Sequence, residues 1–274
     1  MKHFIGTRFN VNNHVWKTAK DGSRVLTEEW LAHRFDLFEK YCLPSVLNQK
    51  NNNFYWFIFL EKETPASFKN RMSQLIGNYG HIFPVYTEPT SLSKLFAKEI
   101  GNLLDETDQT VITTRFDNDD AMHRDFVDTI QKLATGRTDA VIDLRKGYQL
   151  QITNGYYDCR KYINSFNPFI SLVEDTRGYS TVYAKMHKDW KDLDHIISDE
   201  KTTLWMEVIH QRNKLNEENL KLDLTTRFEL ADFGVKEELR FRSANYILSR
   251  NFGRRLTRLQ LGISKVLKNI LPSG

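Results

Sequence analysis

The run Phe54-Tyr-Trp-Phe-Ile-Phe-Leu60 constrains this chain more than any other feature. It is apolar or aromatic on both alternating faces, so it cannot form a strand with one side in water. It reads as a strand covered on both sides. Sheets covered on both sides are mostly parallel ones with crossover helices packed on each face. The run is also the longest apolar stretch, far short of the ~20 residues that a membrane-spanning helix needs.

The flanking segments supply the rest of an α/β sheet. His3–Phe9 reads as a first strand. A helix is expected over Glu28–Gln49, where Leu31, Phe35, Phe38 and Cys42 share one face, Thr27 can cap, and Pro44 kinks the helix or opens a new first turn. Ser67–Asn78 and Ser91–Leu104 read as further helices, His81–Tyr86 and Thr110–Phe116 as strands. The second of these strands stops at Asp117-Asn-Asp-Asp120, and a helix starting at Ala121 follows, with Met122, Phe126, Ile130 and Leu133 on one face. Asp139–Leu144 and Tyr148–Thr153 suggest a hairpin turning at Gly147. Gly155–Gly178, rich in Tyr, Phe and Asn, has the composition of a substrate-contacting loop region. An apolar run over Thr203–His210 ends on a histidine, and the last forty residues are helical by pattern.

Composition removes several function classes. Hydrophobic residues at 40% and charged residues at 27% suit a soluble globular protein rather than a disordered one. Cys42 and Cys159 cannot build a disulfide framework or a Cys-x-x-Cys metal site. Arg8 interrupts any apolar leader at the N-terminus, so a cytoplasmic location is expected. Net charge is +4, yet 239–274 carries eight basic and no acidic residues, which leaves the remainder at −4. An acidic body with a basic tail is not the profile of a nucleic-acid binder.

The acidic run is the sharpest chemical signal. Three carboxylates within four residues repel one another unless a cation or a positive helix end offsets them. They stand at the carboxyl end of a strand, where ligands of open α/β sheets gather. If the chain is extended there, Asp117 and Asp119 face the same side and can share a hard divalent ion, Mg²⁺ or Mn²⁺, bridging to a diphosphate. Capping of the helix at Ala121 accounts for one carboxylate, or two, but not for three.

The stretch Thr113-Thr-Arg-Phe-Asp-Asn-Asp-Asp-Ala-Met122 resembles the Asp-x-Asp motif of GT-A nucleotide-sugar glycosyltransferases, and more narrowly the bacterial rhamnosyltransferase family. Arg34-Phe-Asp-Leu-Phe-Glu39 with Leu43-Pro-Ser-Val-Leu-Asn-Gln49, Phe54–Leu60, and Trp205-Met-Glu-Val-Ile-His-Gln-Arg-Asn213 fit the same family in the same order. The resemblance implies a GT-A fold, a Rossmann-like nucleotide-binding sheet with crossover helices. Its domain would span 1–237, with a nucleotide-binding half at about 1–120 and an acceptor half at about 121–237, followed by a basic helical tail at 238–274. It further implies that Asp117 lies by the donor ribose, with Asn118 beside it, and that Asp119 and a late histidine, His210, hold the metal, His187 being the reserve. The donor would be a nucleotide-sugar, with rhamnose as one candidate sugar, and the acceptor a glycan or lipid-linked saccharide of bacterial surface polysaccharide.

Sugar transfer with inversion also needs a base near the acceptor hydroxyl. Glu174 and Asp175 lie at a suitable chain distance and look like the acidic pair of many inverting GT-A enzymes, although such a pair also suits an ordinary turn; Asp158 is a further candidate. Arg8 and Arg115 flank predicted strand ends and can meet nucleotide phosphate or base, or serve as ion-pair arginines. Tyr156, Tyr157, Tyr162, Phe166 and Phe169 can stack on sugars or fill core. In the tail, Leu256, Leu259, Ile263, Val266, Leu267 and Ile270 share one helical face among basic residues, the pattern of a peripheral helix on an anionic membrane surface, of a helix packed back on the domain, or of an oligomer contact. A Mg²⁺-dependent phosphatase and a non-catalytic carbohydrate-binding relative are the competing readings of the acidic cluster.

Overall fold

The computed structural model describes residues 1–11, 27–153, 155–210, 222–225, 228–236 and 240–270, with side chains described except at 153 and 261–270. Arg212 and Asn213, at the end of the last motif, lie outside the described residues. Strands β1 (Lys2–Arg8), β2 (Tyr55–Glu61) and β3 (Ile82–Thr87) run parallel, and β4 (Thr110–Arg115) joins β1 from the other side, also parallel. β9 (Ser171–Asp175) inserts antiparallel between β4 and β6 (Ala140–Leu144), and β10 (Ile196–Asp199) closes the edge. The order is β10-β6-β9-β4-β1-β2-β3. This is the expected α/β class, a large and mostly parallel sheet.

β2 shows why its sequence is apolar throughout. Trp56, Ile58 and Leu60 enter one core with Phe35, Phe38, Met72 and Ile76. Phe57 and Phe59 enter the opposite core with Phe96, Ile100 and Trp190. Each such side chain contributes about 1.5–3 kcal/mol on burial, so a charge on either face of this strand would be costly. The covering helices are α1 (Glu28–Leu37), α2 (Leu43–Leu47), α3 (Ala66–Ile76), α4 (Leu92–Gly101) and α5 (Phe126–Ala134). Thr27 Oγ1 caps α1 by accepting from the Trp30 amide at 3.2 Å. The single helix expected to Gln49 is broken into α1, a π-helical turn at Phe38–Cys42, and α2 with Pro44 in its first turn. Pro44 has no N–H to donate, and the wide π turn before it absorbs the lost bond.

A second sheet, β12-β8-β7-β11-β5, comprises β5 (Ala121–Met122), β7 (Lys146–Thr153), β8 (Tyr156–Ile163), β11 (Trp205–Ile209) and β12 (Arg240–Phe241). It corrects three expectations. β6 and β7 are not a hairpin, for they belong to different sheets. Gly147 is needed for a close approach rather than a turn, because a Cβ there would lie 2.1 Å from the Trp205 indole. The aromatic segment after Gly155 is largely strand, not loop. Its rings are mostly core: Phe169 stacks on Trp205 at 5.0 Å, Tyr162 meets the edge of Trp205, and the Tyr157 hydroxyl bonds that of Tyr41 at 3.1 Å. Residues on both sides of position 120 interleave in the first sheet, so its two halves form one body. The chain ends in α6 (Ala244–Ile270), and no helix among the described residues is long and apolar enough to cross a membrane.

Candidate active site

Parallel pairing brings the C-terminal ends of β1 and β4 together. Gly6 stands opposite Arg115, and the Phe116 amide donates to the Gly6 carbonyl at 3.0 Å, so Arg8 and Asp117 emerge at the same level. Arg115 pairs with Asp117 at 3.1 Å. The Tyr183 hydroxyl donates to the Gly6 carbonyl at 2.6 Å, and its ring packs where a side chain on residue 6 would be. Burial raises the Tyr183 phenol, with Arg115 and Arg8 opposing the shift and Asp117 adding to it, so all four belong to one cluster. His187 stands near the same Arg115–Asp117 pair, its Nδ1 bonded to the Phe166 carbonyl, and burial lowers its pKa.

Two residues on, the chain turns toward α1. Asn118 is buried and engaged at both ends of its amide, donating to the Phe9 carbonyl at 3.2 Å and accepting from Arg34. It orients Arg34 rather than presenting itself to a nucleotide. The Arg34 guanidinium also pairs with Asp119 and lies 5.1 Å over the Trp30 ring. His210, at the end of β11, donates from Nε2 to the same Asp119 oxygen at 3.0 Å, and the His33 ring lies 5.0 Å from that of His210. Trp30, His33 and Arg34 are spaced i, i+3, i+4, so one face of α1 delivers all three. The structure therefore brings Arg8, Arg115, Asp117, Asn118, Asp119 and His210 to one end of the sheet.

The acidic run is not a helix cap. Ala121 and Met122 pair with Met206 and Trp205 in the second sheet, and α5 begins at Phe126 behind Asp125. Asp120 instead turns inward and accepts from the Val208 amide at 2.9 Å. Burial, then the neighbouring Asp119, Glu207 and Asp117, push its carboxyl well above the ordinary range. Asp119 goes the other way. Burial alone would raise it, but Arg34 and His210 hold it below the usual carboxylate range. Glu207, one position before Val208 on β11, is pushed up to about 7 by burial, with Asp119 and Asp117 adding and the Gln149 amide opposing through a 2.9 Å bond to Oε2. Two carboxyls that favour the proton beside one that sheds it is a division common at catalytic sites.

Asp119 and His210 offer a carboxylate and an imidazole at one point, a donor pair suited to Mg²⁺ or Mn²⁺. Among the described residues no third His, Cys, Asp or Glu joins them to form a group that could hold a metal. Two protein donors fall short of a full set, and Asp119 Oδ2 already faces the Arg34 guanidinium and the His210 Nε2–H, so an ion would take the rest of its ligands from substrate and water. The predicted catalytic pair is elsewhere. β9 runs antiparallel to β4 and places Asp175 opposite Thr110, roughly 20 Å of strand from Asp117. There Glu174 accepts from the Ser180 and Thr181 amides at 2.8 and 3.0 Å, and Asp175 pairs with Arg177. Asp158 pairs with Arg242 at 3.1 Å, near the start of α6. Sequence reasoning assigned no role to Glu207, whose signal is one acidic residue inside the apolar strand Trp205–Ile209.

No curated protein matches the chain in sequence. Among solved structures, S. aureus TarS (residues 1–349) has 9% identity and a TM-score of 0.44, covering 76% of this chain and 60% of that one. Its complex with UDP-GlcNAc has 10% identity and a TM-score of 0.45, covering 78% and 60%. The Francisella tularensis 2-C-methyl-D-erythritol 4-phosphate cytidylyltransferase has 8% identity and a TM-score of 0.33, covering 80% and 96%. The chain thus spans about 60% of the length of the TarS structures it matches. A family model described as "Putative rhamnosyl transferase" matches residues 4–221, most of the chain. The chain belongs to that family, a glycosyltransferase family by its description.

Proposed function

We propose that the protein transfers a sugar, rhamnose by the family description, from a nucleotide diphosphate donor to a glycan or lipid-linked saccharide acceptor of bacterial surface polysaccharide, and that it does so at the C-terminal end of β4. The observation that carries this is the convergence of Asp119 and His210 at 3.0 Å from positions 91 residues apart, beside the partly buried Arg34. Asp119 and His210 would hold a divalent ion, which when bound neutralises the departing diphosphate. Arg34 supports the same charge. Its Nε is buried without a hydrogen-bond partner among the described residues, and a phosphate oxygen would satisfy it. Arg8, Arg115 and Asp117 form the neighbouring donor-binding wall, with Arg115 fixed by Asp117 and so prepared for a phosphate or ribose.

Glu207 takes the role first assigned to Glu174 and Asp175. With its pKa near 7, it is matched to remove a proton from an acceptor hydroxyl at neutral pH. Gln149 fixes one carboxylate oxygen and leaves the other to act.

The test is a thermal-shift panel of UDP, GDP, dTDP and CDP, each with and without Mn²⁺. A ligand that binds only the native state raises the Tm by mass action. One nucleotide raising the Tm only with the metal is expected and names the donor class. No response to any combination contradicts the reading.

A further inference from the structure

Helix α6 leaves the body with an apolar face toward solvent. Leu248, Phe252, Leu256 and Leu259 are 67, 65, 45 and 63% exposed. At 3.6 residues per turn they lie within about 80° of arc, one continuous stripe. The helix is attached along a different side. Asn251 exchanges two hydrogen bonds with the Leu224 backbone at 2.7 and 3.0 Å, Arg254 donates to the Leu222 carbonyl, and Arg255 and Arg258 pair with Asp223 at 2.7 and 2.6 Å. These polar anchors lie roughly 100° round the helix from the apolar stripe, so they fix its orientation without covering the stripe.

Charge identifies what covers it. From 239 to the last residue the chain has eight basic side chains and no acidic one, while the rest of the protein is net negative. A helix with one apolar stripe, several basic residues and no acidic one lies in the headgroup region of an anionic bilayer. A second copy of the same helix would bring two net-basic segments together, which opposes self-association. We infer that α6 is an interfacial helix that seats the protein on an anionic lipid surface, with Leu248, Phe252, Leu256 and Leu259 inserted and with Arg250, Lys265 and Lys268, which none of the polar anchors uses, supplying the attraction to the headgroups. The sequence beyond residue 260 continues the pattern with Ile263, Val266 and Ile270 apolar and Lys265 and Lys268 basic.

Vesicle co-sedimentation of the full chain tests this, using phosphatidylcholine vesicles with and without about 30% phosphatidylglycerol. Binding is expected only with the anionic lipid. Phe252→Glu combined with Leu259→Glu should abolish it, and Arg250→Glu combined with Lys268→Glu should weaken it about tenfold or more. None of these side chains lies at the donor site, so the nucleotide thermal shift of each variant should match the parent and show that the body is folded. Equal binding to neutral vesicles, or binding that survives both double variants, overturns the inference. So does absence of vesicle binding together with a concentration-dependent dimer that Phe252→Glu breaks, which would assign the stripe to a second copy.

Discussion

Both ends of β4 are acidic, and the physics differs. At the N-terminal end, Asp105 and Asp108 are paired with Lys2, Asp175 with Arg177, and Glu174 with backbone amides, and the three aspartates are held below the ordinary carboxylate range. Every charge there has a partner, as in a structural surface. At the C-terminal end Asp120 and Glu207 are pushed upward while Asp119 between them stays ionised. Such mutual opposition weakens a fold and has a use when a cation, a phosphate or a proton arrives. The difference teaches that acidic residues mark a site when they are buried against each other, not when they are merely adjacent in sequence.

Substitutions at the two ends should therefore separate. The largest effect is expected for Asp119→Asn, which removes the carboxylate charge that the proposed metal site needs and should weaken metal-dependent nucleotide binding by at least about 100-fold, read by calorimetry. Glu207→Gln should leave that binding intact and lower the transfer rate by about 10²-fold or more, read in a single-turnover assay.

The same variant sharpens the comparison through pH. The Glu207 pKa lies near 7 in the folded protein and ~4.3 in the unfolded chain, so the protonated side chain stabilises the fold fully below the lower value. That stability is lost as pH rises through 7. Glu207→Gln should therefore remove a decline of about 3 kcal/mol between pH 4 and 8, read from denaturant unfolding at each pH.

Gly147→Ala acts indirectly, pressing on Trp205 and so on the strand carrying Glu207 and His210. A loss of about 1–3 kcal/mol in stability is expected from overpacking, read as a lower Tm. The smallest effect is at the opposite end. Glu174→Gln should cost about 1 kcal/mol through weaker bonds to the Ser180 and Thr181 amides, with unaltered nucleotide affinity.

Much of the fold was legible because its signals are local. The two-faced apolarity of Phe54–Leu60 dictated a covered strand, and the charge density of Asp117–Asp120 singled out the carboxyl end of β4 before any strand order was known. His210 entered only through the family resemblance, which implies a late histidine. What failed was non-local. Nothing near Glu174 indicates that β9 runs antiparallel and carries it to the wrong end of the sheet. Gly147 is read as a turn because the ring that requires it, Trp205, is 58 residues away. Glu207 and Arg34 escaped for the same reason, since each looks ordinary in its own element and stands out only against Asp119.

The most direct test is titration of the best-responding nucleotide diphosphate, with and without Mn²⁺, into the parent protein, Asp119→Asn and Glu174→Gln. Metal-dependent affinity kept in the parent and in Glu174→Gln, and lost in Asp119→Asn, is the predicted result. Affinity kept in Asp119→Asn and lost in Glu174→Gln would place the donor at the other end of β4 and contradict the account.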